Sequence, residues 1–279
     1  MRSSFGRASL GALALALAPA CADGGPEPVA RGDGAPGATP PAARPPEVPV
    51  LGYEVLQRFP HDKRAYTQGL VMVDGQLYES TGRRRESTVR LVDVETGEVK
   101  KTRRLDERLF GEGLASVGGL LYQLTWTSGR ALIYDRSSLR PLSYGYTYDG
   151  EGWGLTTTPE GQLVMSDGSH RLRFVNPKGF EVERVVEVTA AGRRVRELNE
   201  LEWIDGEIWA NVWKSDRIAR IDPETGEVRA WVDLSGILGS YRVESPIEDV
   251  LNGIAYDAEQ QKIYVTGKHW PYLFHIRVE

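Results

Sequence analysis

Cysteine is all but missing: Cys21 is the only one in 279 residues, so no intramolecular disulfide can staple the chain and a thiolate zinc cluster is excluded. Histidine is scarce as well. His61, His170, His269 and His275 are scattered with no pair at a zinc-motif spacing, which disfavours a catalytic zinc site and leaves no metal ligands to assign. No basic block exists: 34 Lys and Arg against 39 Asp and Glu leave a formal charge of -5 spread along the chain, without the footprint of a nucleic-acid binder. No serine sits in a nucleophile elbow, and no Gly-rich loop follows a strand and opens a helix to cradle a phosphate. The apolar stretch Leu10–Ala20 is shorter than the roughly 20 residues that cross a bilayer.

That stretch has a different use. It follows Arg2 and Arg7 and ends at the small residues Ala18 and Ala20 just before Cys21, which is the pattern of an export signal over 1–21. The run Leu17–Ala18–Pro19–Ala20–Cys21 resembles the lipobox of a bacterial lipoprotein, with Ala18 where leucine is usual, so Cys21 is the expected lipidation site. The expected location is the periplasm or cell envelope, with membrane contact only through a lipid on Cys21. Residues 22–49 hold eight of the sixteen prolines, many Ala and Gly, and almost no large apolar side chains. Such a stretch cannot bury enough surface to offset its ordering entropy, and it reads as a disordered tether.

From residue 50 onward one short pattern returns five times: Gln68–Gly69–Leu70, Glu112–Gly113–Leu114, Trp153–Gly154–Leu155, Asn199–Glu200–Leu201 and Asn252–Gly253–Ile254. The intervals are 44, 41, 46 and 53 residues. A second apolar run follows each, separated by turn pairs such as Asp74–Gly75, Gly118–Gly119 and Asp205–Gly206, and a third and fourth strand come after. Four strands at a period near 45 are the signature of a propeller blade. The last unit ends at Glu279 without a fourth strand, while a spare strand, Tyr53–Phe59, precedes the first. The expectation is an all-β, five-bladed propeller over 50–279, its four-stranded antiparallel blades closed by the N-terminal strand pairing with the C-terminal blade. A complete propeller of this size folds alone, so a monomer is expected.

In an antiparallel hairpin the start of the first strand and the end of the second lie at the same end. First-strand starts therefore bring Gln68, Glu112, Trp153, Asn199 and Asn252 to one mouth, and second-strand ends bring Trp126, Asp167, Trp213 and Lys268 to the same face. Carboxylates, a lysine, amides and tryptophans in one ring describe a small-molecule pocket. The same positions in repeat proteins also carry polar residues that only tie blades together. A ring of that purely structural kind repeats one residue type, and this one does not.

The runs Tyr66–Thr67–Gln68–Gly69–Leu70, Phe110–Gly111–Glu112–Gly113–Leu114, Leu124–Thr125–Trp126, Glu151–Gly152–Trp153–Gly154–Leu155, Leu198–Asn199–Glu200–Leu201–Glu202, Trp209–Ala210–Asn211–Val212–Trp213 and Thr266–Gly267–Lys268 resemble the plant-type glutamine cyclotransferases, in order, across 50–279. The resemblance implies a five-bladed propeller and closure of N-terminal glutaminyl residues of peptides and proteins to pyroglutamyl with loss of ammonia. It implies Glu112 as proton shuttle, with Lys268 and Asn199 beside it in the catalytic set. It implies Gln68 as a further polar substrate contact, and Trp126, Trp153, Trp213, Tyr66 and Phe110 as aromatic walls. Tyr66 departs from the phenylalanine common in the family. No cofactor is implied for catalysis, and a structural calcium ion is a possibility the family carries. Two other readings of the residues stand beside it: a propeller that binds a peptide end or sugar without changing it, and a metal-dependent lactonase-like propeller drawing on Asn199, Asn252, Glu112 and Glu200.

Overall fold

The computed structural model describes residues 47–279; the export signal expected over 1–21, its Cys21, and the tether as far as 46 lie outside the described residues. The described chain is built from strands, with no helix among them. After β1 (Val50–Leu51) and β2 (Tyr53–Pro60), blade 1 is β3 (Thr67–Val73), β4 (Gln76–Thr81), β5 (Thr88–Val92) and β6 (Val99–Arg104). Blade 2 is β7 (Gly111–Val117), β8 (Leu120–Thr125), β9 (Arg130–Asp135) and β10 (Tyr146–Thr147). Blade 3 is β11 (Leu155–Thr157), β12 (Leu163–Met165), β13 (Arg171–Val175) and β14 (Val182–Glu187). A small hairpin, β15 (Thr189–Ala190) with β16 (Arg193–Arg194), precedes blade 4, which is β17 (Leu198–Ile204), β18 (Glu207–Val212), β19 (Arg217–Ile221) and β20 (Val228–Asp233). Blade 5 has β21 (Leu251–Asp257), β22 (Lys262–Gly267) and β23 (Tyr272–Val278), and its outer strand is β2, antiparallel to β23 from Tyr53 opposite Val278 to Pro60 opposite Tyr272. The expected five blades and their closure by the N-terminal strand are therefore the fold.

Local chemistry explains the hairpins. Asp74–Gly75, Gly118–Gly119 and Asp205–Gly206 all hold positive φ at both central positions, the two-residue turn whose twist matches that of the strands it joins. The inner strands are buried on both faces, and alternation sends successive side chains to opposite neighbours. In β3, Leu70 and Met72 enter a cluster with Phe59, Ala255, Tyr264 and Leu273 of blade 5, whereas Val71 joins Leu114, Leu121 and Tyr134 of blade 2. Each of the other three neighbouring pairs shares a cluster of its own, so the core is a ring of five.

One boundary moves. The tether was expected to run to residue 49, but Val48 packs on the cluster between blades 3 and 4, and the Pro49 carbonyl accepts the Trp231 N–H at 2.8 Å. From there β1 adds in parallel to β20, Val50 opposite Trp231, as a fifth strand on blade 4. The backbone hydrogen bonds and apolar cover of a sheet edge order these residues despite their composition.

At the centre of the ring, Gly69, Gly113 and Gly154 let inner strands approach closely, and the fourth repeat has Glu200 where the other four have glycine. The Glu200 carboxylate accepts from Ile254 N at 2.8 Å and Leu70 N at 3.2 Å, joining blade 4 to blades 5 and 1. Two residues on, Glu202 accepts from Tyr256 N at 2.8 Å and Thr156 Oγ1 at 3.2 Å. Burial, reinforced by Glu202, pushes Glu200 well above the usual carboxylate range, and burial pushes Glu202 up to about 8 against the pull of its hydrogen bonds. A carboxyl raised on folding binds more protons in the folded than in the unfolded state, so its contribution is complete below the unfolded value of 4.5 and is lost as pH rises toward the folded one. We expect the denaturant midpoint to fall between pH 5 and pH 8, and Glu202→Gln to flatten part of that slope; urea titrations across this window read it.

Candidate active site

Each inner strand opens with one extra residue. The β3–β4 register slips between Thr67 and Gly69, β7–β8 between Gly111 and Leu114, β17–β18 between Leu198 and Leu201, and β21–β22 between Leu251 and Ile254. Blade 3 does the same just before β11, where Trp153 N donates to Ser166 O and Ser166 N donates to Gly154 O. A bulge breaks the pleat and re-aims the side chain it carries. The residues so displaced are Gln68, Glu112, Trp153, Asn199 and Asn252, the first members of the five repeats. Neighbouring blades then fix them: Ser80 Oγ donates to Glu112 O at 2.5 Å and Ser166 Oγ to Asn199 O at 2.7 Å.

The result is an open-mouthed cavity of about 180 Å³ lined by Tyr66, Gln68, Phe110, Glu112, Trp126, Trp153, Asn199, Trp213 and Lys268. The nine residues that the family resemblance implies at the site line it together. Its floor is polar and buried: Gln68, Glu112, Asn199 and Lys268 are each no more than 4% exposed. Gln68 Nε2 donates to Glu112 Oε1 at 2.8 Å, and Gln68 Oε1 accepts from Asn252 Nδ2 at 3.2 Å. Burial lifts the Glu112 carboxyl well above its ordinary value; Lys268 and the Gln68 hydrogen bond pull it back, and Glu151 adds to the rise. Burial likewise lowers the Lys268 ammonium to about 8, with Glu112 and Glu248 opposing the change. Lys268 Nζ stands 4.8 Å from the centre of the Tyr66 ring, and burial raises the Tyr66 hydroxyl to about 12.

The walls are aromatic and meet edge to face. Tyr66 contacts Phe110 with ring centroids 6.1 Å apart, Phe110 contacts Trp126 at 5.6 Å, and Trp153 contacts Trp213 at 5.6 Å with planes at 90°. Gly168 has φ +75°, and a Cβ there would fall 2.7 Å from the Trp153 ring, so glycine is what lets this indole pack against the β12–β13 loop.

Two residues expected at the mouth stand elsewhere. Asp167 turns away to pair with Arg173 at 3.1 Å, and Asn252 lies fully buried behind Gln68, donating also to Thr67 O at 3.0 Å. Glu151 carries no assigned role in the sequence pattern. Its Oε2 accepts both the Trp126 indole N–H at 2.6 Å and the Trp153 indole N–H at 2.9 Å, clamping two walls with one oxygen. Its place two residues before Trp153 was the available signal, but a carboxylate serving two indoles from different blades cannot be read from spacing.

Two buried carboxyls of the inner strands are already hydrogen-bonded. Glu200 and Glu202 spend oxygens on backbone N–H groups, and no group of three or more His, Cys, Asp or Glu side chains converges among the described residues.

Comparison with known proteins agrees with this geometry. The sequence profile of the glutamine cyclotransferases matches residues 33–278. Glutaminyl-peptide cyclotransferase of Arabidopsis thaliana is 42% identical over 228 residues, covering 81% of this chain and 71% of the plant protein. The glutaminyl cyclase of Myxococcus xanthus superposes with a TM-score of 0.75 at 38% identity, covering 84% of this chain and 99% of that one. A Streptomyces coelicolor aldose sugar dehydrogenase with PQQ bound, at 15% identity and TM-score 0.54, covering 81% of this chain and 98% of its own, shares the fold alone.

Proposed function

This chain belongs to the glutamine cyclotransferase family, and from that premise we propose that it closes N-terminal glutaminyl residues of peptides and proteins into pyroglutamyl with release of ammonia. The observation that carries the reading is the floor of the cavity, where a buried carboxyl with a raised pKa and a buried lysine with a lowered one sit within aromatic walls. In the reaction the neutral α-amine attacks the side-chain amide carbon, a C–N bond forms, the C–NH2 bond breaks, and the proton given up by the amine reaches the leaving nitrogen. Glu112 is the group for both transfers, taking the proton from the attacking amine and returning it to the departing one. The raised pKa suits this, since a carboxylate in its ordinary range holds a proton too weakly to deliver it near neutral pH.

Negative charge gathers on the amide oxygen as the ring closes. Lys268 and the side-chain amide of Asn199 are the donors for it, each worth roughly 3 kcal/mol in a site of this kind. Gln68 is already bonded to Glu112 and orients it. The tryptophans exclude water and confine the glutamine side chain in the folded-back conformer that places its amide carbon against its own amine. The reading requires no cofactor. It is tested by incubating the protein with a short peptide beginning in Gln and with the same peptide N-acetylated: ammonia and a pyroglutamyl product are expected from the first alone, and equal ammonia from the blocked peptide contradicts it.

Glu151 enters as a positioning residue. Glu151→Ala frees two indoles and removes a charge that helps raise Glu112. We expect KM to rise severalfold with a smaller change in kcat, and the acid limb of the kcat/KM profile to move to lower pH. An unmoved limb would leave Glu151 with packing alone.

The proposal extends to location. The sequence pattern at 1–21 supports export and a lipid anchor on Cys21, with the propeller working as a monomer in the periplasm or cell envelope. Labelled fatty acid incorporated by the wild type and not by Cys21→Ser would support the anchor, and equal labelling would refute it.

A further inference from the structure

The cavity is layered. Below the aromatic walls lies the buried polar floor, and above them stand cations. Arg84 and Lys214 are exposed, and each is tied to a segment that carries a wall. Arg84 donates from Nε to Arg108 O and from Nη2 to Thr127 Oγ1, both at 3.3 Å, bridging the approaches to Phe110 and Trp126. Lys214 Nζ sits 4.1 Å from the centre of the Trp213 ring on the opposite side of the mouth. Neither has a carboxylate within 4.0 Å among the described residues, whereas Arg83 is matched with Glu248 at 2.7 Å, Arg108 with Asp106 at 2.9 Å and Arg173 with Asp167 at 3.1 Å. Glu151 is occupied by its two indoles.

Two uncompensated cations at the entrance are notable in a protein of formal charge -5, whose overall field repels anions. A cavity of about 180 Å³ is smaller than the usual ligand pocket and has room for the glutaminyl end of a peptide alone, so the residues that follow must leave across the rim. We propose that Arg84 and Lys214 make the mouth selective for peptides carrying acidic side chains in the first positions after the glutamine. The proposal rests on the cyclotransferase reading above. A carboxylate leaving the mouth meets one cation or the other, while a lysine there is repelled by both. The contacts are solvated, so the selectivity is modest and falls with salt.

The test compares C-terminally amidated Gln-Glu-Glu, Gln-Ala-Ala and Gln-Lys-Lys peptides with the full-length protein and its Arg84→Ser, Lys214→Ser double variant. Amidation removes the terminal carboxylate that would otherwise mimic an acidic residue. At low ionic strength kcat/KM for the acidic peptide is expected to exceed that for the basic one by roughly tenfold, through electrostatic complementarity. The ratio should shrink at physiological ionic strength and approach unity in the double variant. A ratio near unity in the wild type, or one that survives in the double variant, overturns the proposal while ammonia release from all three peptides leaves the activity standing. No ammonia from any of them overturns both.

Discussion

Glu112→Gln is expected to lower kcat by about a hundredfold to ten-thousandfold while leaving the unfolding midpoint close to wild type. The shapes match, and a glutamine at 112 can turn its carbonyl oxygen toward Gln68 Nε2, so the buried hydrogen bond at 2.8 Å survives. The substitution removes the ability to take a proton and return it. Burial is the main reason the carboxyl holds its proton so strongly, and a glutamine neither gains nor loses one at any relevant pH. Loss of activity with an unchanged melt would place Glu112 in the proton transfers. Wild-type turnover by the variant would remove it and leave Lys268 as the remaining titratable group on the floor.

Gly154→Ala is expected to cost more than about 4 kcal/mol or to prevent folding, the range reserved for backbone clashes and broken cores. A Cβ there would lie 1.9 Å from Asn199 O and 2.9 Å from Glu200 Cα, both in the next blade. No side chain can swing aside, because the obstacles are main chain. The same oxygen accepts from Ser166 Oγ, and Glu200 spans the axis, so a shift would propagate to Asn199 at the site and to blades 1 and 5. Soluble expression and a denaturant titration check it. A midpoint within 1 kcal/mol of wild type would show that the inner strands have slack that the packing denies.

The blades were readable because a propeller repeats itself: Gln68–Gly69–Leu70 and its four echoes mark the inner strands, and paired positive-φ turns mark the hairpins. Closure by Tyr53–Phe59 followed from a missing outer strand at the other end. The convergence of Glu112, Lys268 and the tryptophans followed from hairpin geometry, and the roles given to them from the family resemblance. What escaped depends on partners far away in sequence. Residues 48 and 49 fall within the expected tether and gain order only from the edge of blade 4. Asp167 and Asn252 occupy mouth positions by count, but Arg173 draws one away and Gln68 takes the other as support. Glu151 is a single acidic residue in a loop until two indoles reach it from different blades. The bulges that aim the site leave no mark beyond the glycine beside four of the five.

We propose metal-independent cyclisation by the carboxyl on the cavity floor. Its most direct measurement is ammonia release from a peptide with N-terminal Gln by the full-length protein, before and after exhaustive chelation, with Glu112→Gln run alongside. The account predicts release that chelation leaves unchanged and that the variant lacks. Release abolished by chelation, or retained by the variant, would contradict it.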